Sequence, residues 1–180
     1  GAAYLVKGSA NRYLAVSIEE FCNNKIRILE REKEFLMENM PVADEPLDGY
    51  ITIEGASNIR NKIITMLEKA QQRIYLSAPG DFLMSIRKEL EAVAERKIKL
   101  VFITDKDTGI EPTFLYLTDK KEKQIRLIID SVYVLTGDIA GGKTDTCLYS
   151  GQRNFVSVFK EALRNEIKLI ELTKGENRNE

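Results

Sequence analysis

The fold is decided by a stretch in which two short apolar runs flank one helical pattern. Residues 73–103 read RIYLSAPGDFLMSIRKELEAVAERKIKLVFI. The runs 73–77 and 99–103 have the length and β-branched content of buried strands, and Pro79 and Gly80 end the first one. Apolar residues between them recur every three or four positions, which predicts a helix over 81–95. A strand, a helix and a second strand in this order predict a right-handed crossover between parallel strands.

The same alternation continues on both sides of this unit. It predicts helices at 57–71 and 154–165 and strands at 50–53, 114–117, 125–130, 132–135, 146–149 and 167–172. Together these elements predict an α/β domain over 50–174, a mixed sheet flanked by helices, with a frayed tail at 175–180.

The N-terminal part of the chain has a different pattern of residues. Residues 1–16 predict two short strands around a turn, and the acidic segment 42–49 predicts a linker. Between them a helix is predicted over 17–40, with Ser17 and Glu20 as a capping box and Pro41 as its stop.

This helix carries an apolar stripe that needs a partner. Packing on its own domain is one possibility, but we expect a second chain to cover it, as in a coiled coil, so the sequence predicts a homodimer. The predicted interface residues are Ile18, Phe21, Cys22, Lys25, Ile28, Leu29, Glu32, Phe35 and Leu36.

Composition excludes several classes of function. The chain has 180 residues, 27 Lys and Arg, 28 Asp and Glu, and a formal net charge of -1, so it has no overall field for nucleic acid or an anionic membrane. It has no histidine, which excludes catalytic triads, Cys-His pairs and His-ligated metals. The 2 cysteines alone cannot form a metal site. Neither a membrane span nor a secretory leader is visible. We expect a cytoplasmic protein that needs no cofactor or metal.

One stretch matches a phosphate-binding loop letter for letter. Residues Gly137–Thr144 read GDIAGGKT, the pattern G-x-x-x-x-G-K-[ST]. Such a loop needs a helix to begin near its Lys, whereas residues 145–151 favour a strand. We therefore predict a glycine-rich connection between strands, with nucleotide binding as the weaker alternative.

Two stretches resemble the phospholipase D-like fold. The helix–strand–helix–strand run over 54–105 is similar to the first half of such a module. Residues 128–140, IIDSVYVLTGDIA, align with the family motif H-x-K-x4-D followed by x6-G-S-x-N. Asp130 and Gly137 match the Asp and Gly. Lys123, Ile125, Asp138 and Ala140 stand at the His, Lys, Ser and Asn positions. The resemblance implies the fold without the enzyme, and Asp130 is predicted to bond turn amides.

The front of the chain resembles TrmB-type transcriptional regulators. Residues 8–21, GSANRYLAVSIEEF, are similar to the junction between a winged-helix wing and a dimerisation helix in that family. The resemblance implies a wing remnant at 1–16, a dimerisation helix at 17–41 and a catalytically inactive effector domain. It also implies DNA binding through a winged helix lying mostly before residue 1. The alternative is a divergent phosphodiesterase or phosphatidyl transferase on the same fold.

Candidate ligand-binding residues follow from the predicted sheet. Ligands of open α/β sheets lie beyond the carboxyl ends of parallel strands, where short polar side chains suit the hydroxyls of a sugar or a small anion. In the simpler interpretation Asp81 only caps its helix and Ser77 only ends a strand. The predicted site consists of Ser77, Pro79, Asp81, Thr104 and Asp105 from the strand ends, together with Asp138 from the degenerate motif.

Overall fold

The computed structural model describes residues 2–41, 49–119 and 121–176. The chain divides into two units, residues 1–45 and 46–180. In the first unit, strands β1 (Ala3–Val6) and β2 (Arg12–Ala15) pair antiparallel, and helix α1 spans Ile18–Asn39. The two predicted strands and the long helix are therefore confirmed.

The start of α1 differs in one contact from the predicted capping box. The Ser17 hydroxyl accepts a hydrogen bond from the Glu20 amide at 3.1 Å, as expected of an N-cap. The Glu20 carboxylate does not complete the box, because it accepts a hydrogen bond from the Tyr4 hydroxyl. This bond ties β1 to the first turn of α1, so the hairpin and the helix form one unit.

The second unit alternates strands and helices as the sequence predicts up to its last helix. Its elements are β3 (Ile51–Glu54), α2 (Ala56–Lys69), β4 (Arg73–Ser77), α3 (Gly80–Ser85), α4 (Arg87–Glu95), β5 (Lys99–Thr104), β6 (Phe114–Leu117), β7 (Gln124–Ile129), β8 (Tyr133–Asp138), β9 (Thr146–Ser150) and α5 (Arg153–Glu176). Its strands form one 7-stranded sheet in the order β3-β9-β8-β7-β4-β5-β6.

The sheet is mixed, as predicted. Strands β4, β5 and β6 are parallel, whereas β7 runs antiparallel to both β4 and β8. Strand β9 runs antiparallel to both β8 and β3. Five strands therefore point the same way, and their last residues form the carboxyl end of the sheet: Glu54, Ser77, Thr104, Leu117 and Asp138.

Alternate residues of the central strands face two different cores. Ile74 and Leu76 of β4 belong to one core with buried residues of α2, α3 and α4. Tyr75 lies between them in sequence and packs in the second core, to which α5 contributes Leu163. Because side chains alternate along a strand, helices α2 to α4 cover one face of the sheet and α5 covers the other.

The predicted strand at 167–172 is wrong. Helix α5 continues through this segment to Glu176. Ile167 and Ile170 pack in the same core as Phe159 and Leu163, so the helical stripe continues at spacings of three and four. The segment IKLIEL fits both periods, and its contact with the sheet selects the helix.

The predicted helix over 81–95 is interrupted. Helices α3 and α4 meet at Ile86, whose φ of -119° and ψ of 29° are not helical. Ile86 is fully buried, and the Arg60 guanidinium donates a hydrogen bond to the Ser85 carbonyl at the end of α3. The interruption thus inserts Ile86 into the core while a side chain satisfies one freed carbonyl.

The predicted linker and the predicted tail lie mostly outside the residues that the structure describes. Residues 42–48 of the predicted linker and 177–180 of the predicted tail lie outside the described residues, and residues 175–176 belong to α5. Among the described helices, none is long and apolar enough to cross a membrane.

Candidate functional site

The sheet brings the predicted ligand residues to one end. Ser77 lies opposite Arg126 of β7, and Arg126 lies opposite Thr136 of β8. Asp138 ends β8 two residues later, so it lies at the same end as Ser77, two strand spacings or about 10 Å across the sheet. Thr104 ends the neighbouring strand β5.

Two of the predicted carboxylates already have partners within the protein. The Asp105 Oδ1 atom accepts a hydrogen bond from the Gly80 amide at 2.7 Å, which anchors the start of α3. Asp81 is not the N-cap that the sequence predicts, because Pro79 holds that position. Asp81 instead pairs with Lys106 at 2.5 Å while its side chain stays 91% exposed. The Lys106 ammonium donates a hydrogen bond to the Asp81 carboxylate, and this bond raises the pKa of Lys106.

The hydroxyls at this end are buried. Thr104 is fully buried, and its Oγ1 lies 3.4 Å from the Asp105 carboxylate. The Oγ atom of Ser77 is buried and has no hydrogen-bond partner among the described residues. A buried hydroxyl without a partner costs free energy, so Ser77 is the residue here that a bound polar group would most directly satisfy.

Asp130 has the structural role that the sequence predicts. Its carboxylate accepts hydrogen bonds from the amides of Gln71, Gln72 and Arg73 at 2.8, 2.7 and 2.9 Å. Partial burial alone would raise the pKa of Asp130, but the amides of Arg73, Gln71 and Gln72 outweigh it and lower the pKa. Asp130 therefore clamps the connection between α2 and β4.

Gly137 is also structural, and it lies within β8 rather than in the glycine-rich connection that the sequence predicts to begin at this residue. A Cβ atom at this position would lie 2.2 Å from the Thr146 carbonyl oxygen and 2.5 Å from the Cys147 sulfur. Close approach of β9 thus requires glycine here. Both motif positions that match the phospholipase D pattern support the backbone.

The positions aligned with the reactive motif residues carry other side chains. Ile125, at the Lys position, is fully buried in the core. Lys123, at the His position, is exposed, and its carbonyl accepts a hydrogen bond from the Ile139 amide. In residues 2–41, 49–119 and 121–176 no group of acidic residues and cysteines could hold a metal ion.

The main-chain amides of the glycine-rich stretch are occupied by an acidic side chain at its end. The Asp145 carboxylate accepts hydrogen bonds from the amides of Ala140, Gly141 and Gly142 at 2.9, 2.8 and 3.1 Å. In a phosphate-binding loop such amides would face the phosphate. Strand β9 follows, rather than a helix, so the predicted connection between strands is confirmed.

The apolar stripe of α1 is exposed in its unit. Ile18 is 84% exposed, Leu29 62% and Phe35 63%, and the helix has no buried residue. Ile26 and Met37, which the predicted interface omits, are exposed as well. An apolar surface of this extent is typical of an interaction site.

A cleft that sequence reasoning missed lies at the opposite end of the sheet. Its cavity volume is about 450 Å³, and helix α5 forms one wall. We call it the cationic cleft after its basic residues: Arg73, Lys99, Lys160, Arg164 and Lys168. A signal was present in α5, where three of them are spaced four residues apart on one helix face.

Comparison with known families identifies the second unit. Residues 49–165 match the family model described as the EBD N-terminal subdomain of the transcriptional regulator TrmB, which covers well over half of the chain. The chain belongs to the TrmB family. The match runs from just before β3 into α5, so the TrmB regulator that the sequence resembles is confirmed for this unit.

Solved structures support the fold of this TrmB-family chain. The chain is similar to TrmBL2, an archaeal chromatin protein with a novel mode of DNA binding, at a TM-score of 0.57 and 22% identity over 92% of this chain and 75% of that one. It is similar to NucT from Helicobacter pylori at a TM-score of 0.51 and 15% identity, over 65% of this chain and 94% of that one.

A further likeness has a TM-score of 0.48. It is to Nuc, a phospholipase D family member from Salmonella typhimurium, at 16% identity over 65% of this chain and 93% of that one. The α/β fold that the sequence predicts, a mixed sheet flanked by helices, is confirmed for this domain by its strand order and by its likeness to NucT. No curated protein sequence matches the chain.

Proposed function

We propose that this TrmB-family chain is the dimerising, effector-sensing region of a DNA-binding regulator and is catalytically inactive. The observation that carries the proposal is the family match over 49–165. The β1–β2 hairpin next to α1 also suits the wing of a winged helix before residue 1. DNA would be bound there, and such a regulator would act in the cytoplasm. The parent gene tests this, because a helix-turn-helix of roughly 70–80 residues should be encoded upstream.

The dimer would form through α1. One set of residues alternates at spacings of four and three, the a/d repeat of a coiled coil: Ile18, Cys22, Lys25, Leu29, Glu32 and Leu36. The large apolar residues Phe21, Ile28 and Phe35 widen the stripe on one side.

Two charged residues at the seam favour one orientation. The midpoint of α1 lies between Ile28 and Leu29, and Lys25 and Glu32 lie equally far from it on opposite sides. In a parallel pair Lys25 would face Lys25, whereas in a fully overlapping antiparallel pair it faces Glu32 of the second copy. Opposite charges across a seam stabilise it and like charges do not, so we propose the antiparallel arrangement.

Sedimentation tests the dimer. Leu29→Asp removes from each copy a leucine that the proposed dimer would bury, about 1.5–3 kcal/mol per side chain, so the dissociation constant should rise by roughly a hundred- to ten-thousand-fold. Leu169→Asp on α5 is the matched control, because Leu169 is 65% exposed and Leu29 is 62% exposed. A wild-type monomer at micromolar concentration contradicts the proposal, as does a Leu29→Asp chain that remains dimeric.

A charge exchange tests the orientation. Lys25→Glu and Glu32→Lys should each weaken an antiparallel dimer, and the double variant should restore it. In a parallel dimer residue 25 faces residue 25 and residue 32 faces residue 32, so the wild type, the single variants and the double variant all place like charges opposite each other. The double variant would then be no more stable as a dimer than the single variants. Absence of rescue therefore rejects the antiparallel seam but not the dimer.

Catalytic inactivity follows from the missing nucleophile. The chain has no histidine, so a phosphohistidine intermediate cannot form, and Lys123 stands where the motif has it. We expect no turnover of bis-p-nitrophenyl phosphate or of phosphatidylcholine by the pure chain. Turnover that is lost in Asp138→Ala would establish the phosphodiesterase or phosphatidyl transferase alternative instead.

Nucleotide binding at Gly137–Thr144 is tested by titration with ATP and Mg²⁺. We expect no ATP binding at this loop, because Asp145 occupies the amides that would hold the phosphates, so Lys143→Ala should leave any ATP binding by the chain unchanged. Micromolar affinity in the wild type that is lost in Lys143→Ala would show that the loop opens.

The effector would bind at the carboxyl end of the sheet. The buried Ser77 hydroxyl, the neighbouring Thr104 and Asp105, and the exposed Asp138 support this placement. A thermal-shift screen of uncharged sugars and small anions tests it, since a ligand at 100 times its Kd stabilises by about 2.7 kcal/mol. The shift produced by an uncharged sugar should shrink in Asp138→Ala, which removes an acceptor for the sugar hydroxyls, and persist in Glu95→Ala, which removes an exposed carboxylate from α4. A shift equal in both variants rejects this site.

A further inference from the structure

The cationic cleft has the size and floor of a small-molecule site. Val101, Ile128 and Leu163 line its floor and are 2, 1 and 2% exposed. Its volume of about 450 Å³ lies within the range of ligand pockets, roughly 300–1,000 Å³. An apolar floor with polar groups at the rim is the usual arrangement of such pockets.

The rim has an excess of positive charge. Among the described residues that line the cleft, Glu171 is the one acidic residue. Outside the lining, Asp130 lies close enough to Arg73 for the Arg73 charge to contribute to the lowered pKa of Asp130. None of the basic residues of the cleft forms an ion pair with a carboxylate in the part of the chain that the structure describes. The chain as a whole carries a net charge of -1, so this positive charge is local to the cleft.

The cations of the cleft occupy positions that by themselves destabilise the fold. Arg73 and Lys99 are paired directly in the parallel register of β4 and β5. Like charges opposite each other destabilise a sheet. Lys160, Arg164 and Lys168 add charge from the facing side of α5 at spacings of four residues, which is also unfavourable within a helix. A bound anion would relieve both repulsions.

Aromatic rings complete the cleft. Tyr75, Phe114 and Tyr116 line it, and the Lys99 amine lies 5.1 Å from the centroid of the Phe114 ring. Partial burial, followed by the charge of the Glu171 carboxylate and its hydrogen bond with the phenol, raises the pKa of Tyr116. Tyrosine rings provide flat apolar faces for a sugar or base ring, with a hydroxyl at one end.

We propose that the cationic cleft binds a small organic phosphate. Lys160 and Arg164 on α5, with Arg73 and Lys99 on the sheet, hold the phosphate, and the organic ring lies against Tyr75 and Tyr116. The concave shape and the local charge favour a small anion over a nucleic acid, whose binding needs a positive field along many phosphates. The cleft lies at the amino end of β4, whose five residues span about 13 Å to the carboxyl end, so this site goes beyond the proposed function.

Calorimetric titration of the full chain tests the proposal with four probes: glucose 6-phosphate, glucose, inorganic phosphate and a short DNA duplex. We expect saturable binding of glucose 6-phosphate, weaker binding of inorganic phosphate, and affinities that fall with added NaCl. In Lys160→Gln/Arg164→Gln the Kd for glucose 6-phosphate should rise at least about tenfold, because two charge-assisted hydrogen bonds are lost. The matched control Lys69→Gln/Lys88→Gln, which removes the same charge from α2 and α4, should leave it unchanged.

The outcomes separate this site from the carboxyl-end site. Phosphate-dependent binding that survives in Asp138→Ala and is lost in the α5 double variant supports the cleft, whatever becomes of the effector proposal. Binding of glucose 6-phosphate that is lost only in Asp138→Ala overturns the cleft proposal. So do an equal loss in both double variants, binding of duplex DNA alone, and no binding of either phosphate probe.

Discussion

Replacement of Asp130 by asparagine should lower the free energy of unfolding of the chain. Three main-chain amides donate to this carboxylate, two of them, from Gln72 and Arg73, to the same oxygen. The residue has a φ of 51°, in the left-handed region that asparagine tolerates well among residues other than glycine. Asp130→Asn therefore keeps the backbone conformation and changes only the hydrogen bonds and the charge.

The magnitude follows from those bonds. The asparagine oxygen can still serve Gln72 and Arg73, but its NH2 group faces the Gln71 amide, so one hydrogen bond worth about 1 kcal/mol is lost. The two retained bonds change from charge-assisted to neutral, which costs up to about 1 kcal/mol each. Partial exposure of Asp130 lets water compensate in part, so we expect a loss of about 2 kcal/mol in the free energy of unfolding at about pH 7.

The loss should depend on pH. The folded-state pKa of Asp130 is lowered, so the stabilisation from its charge is complete above the unfolded pKa and disappears as pH falls through the folded pKa. Urea unfolding at about pH 7 and about pH 3 should thus show a gap between wild type and Asp130→Asn that narrows in acid. The exposed Asp119→Asn is the control and should show no gap. Equal stability at neutral pH, or a gap that widens in acid, would refute the clamp.

Two further predictions concern β8 and β9. Gly137→Ala should destabilise the second unit by about 1–3 kcal/mol or prevent folding, because the added Cβ would lie 2.7 Å from the Cys147 Cα and the main chain can move only at a cost in free energy. Urea unfolding measures this loss of stability. Equal stability of the variant and the wild type would contradict the register of β8 and β9. Burial, with the charges of Asp138 and Asp145, raises the pKa of Cys147 to about 11, so a Cys22→Ser chain should show no fast-reacting thiol at pH 8 until denaturant is added; fast labelling of the native chain contradicts this.

The sequence was sufficient for most strands because each has strong local signals. The strands RIYLS and KLVFI are dense in β-branched and large apolar residues and are bounded by turn residues, so burial and local preference agree. The end of α5 was misassigned because Ile167, Lys168 and Leu169 alternate between apolar and polar as a strand would. Only the contact of Ile167 and Ile170 with the sheet distinguishes the two periods, and that contact depends on the whole fold.

The candidate sites show the same limit. Strand polarity predicted that Ser77 and Thr104 would share one end of the sheet, because polarity follows from the order of elements. Asp138 was predicted at the same site from its position in the degenerate motif rather than from strand polarity. The partners of the carboxylates were not predictable, since Asp105 anchors the Gly80 amide from 25 residues away in the sequence. The cationic cleft was missed for the same reason, because its cations come from three separate elements and no motif links them.

The two matched motif positions, Asp130 and Gly137, explain how part of a catalytic motif can be present in a chain that lacks the catalytic residues. Asp130 holds three amides and Gly137 admits β9, so each is needed for the backbone whatever the domain does. Lys123, Ile125 and Asp138 stand where the reactive and polar residues of the motif would be, and the structure shows no backbone contact that requires a particular side chain at Lys123 or Asp138 among the described residues. The spacing from Asp to Gly is therefore evidence for the phospholipase D-like fold, and the chemistry of this chain must be sought in its exposed residues, at α1, at the carboxyl end and in the cationic cleft.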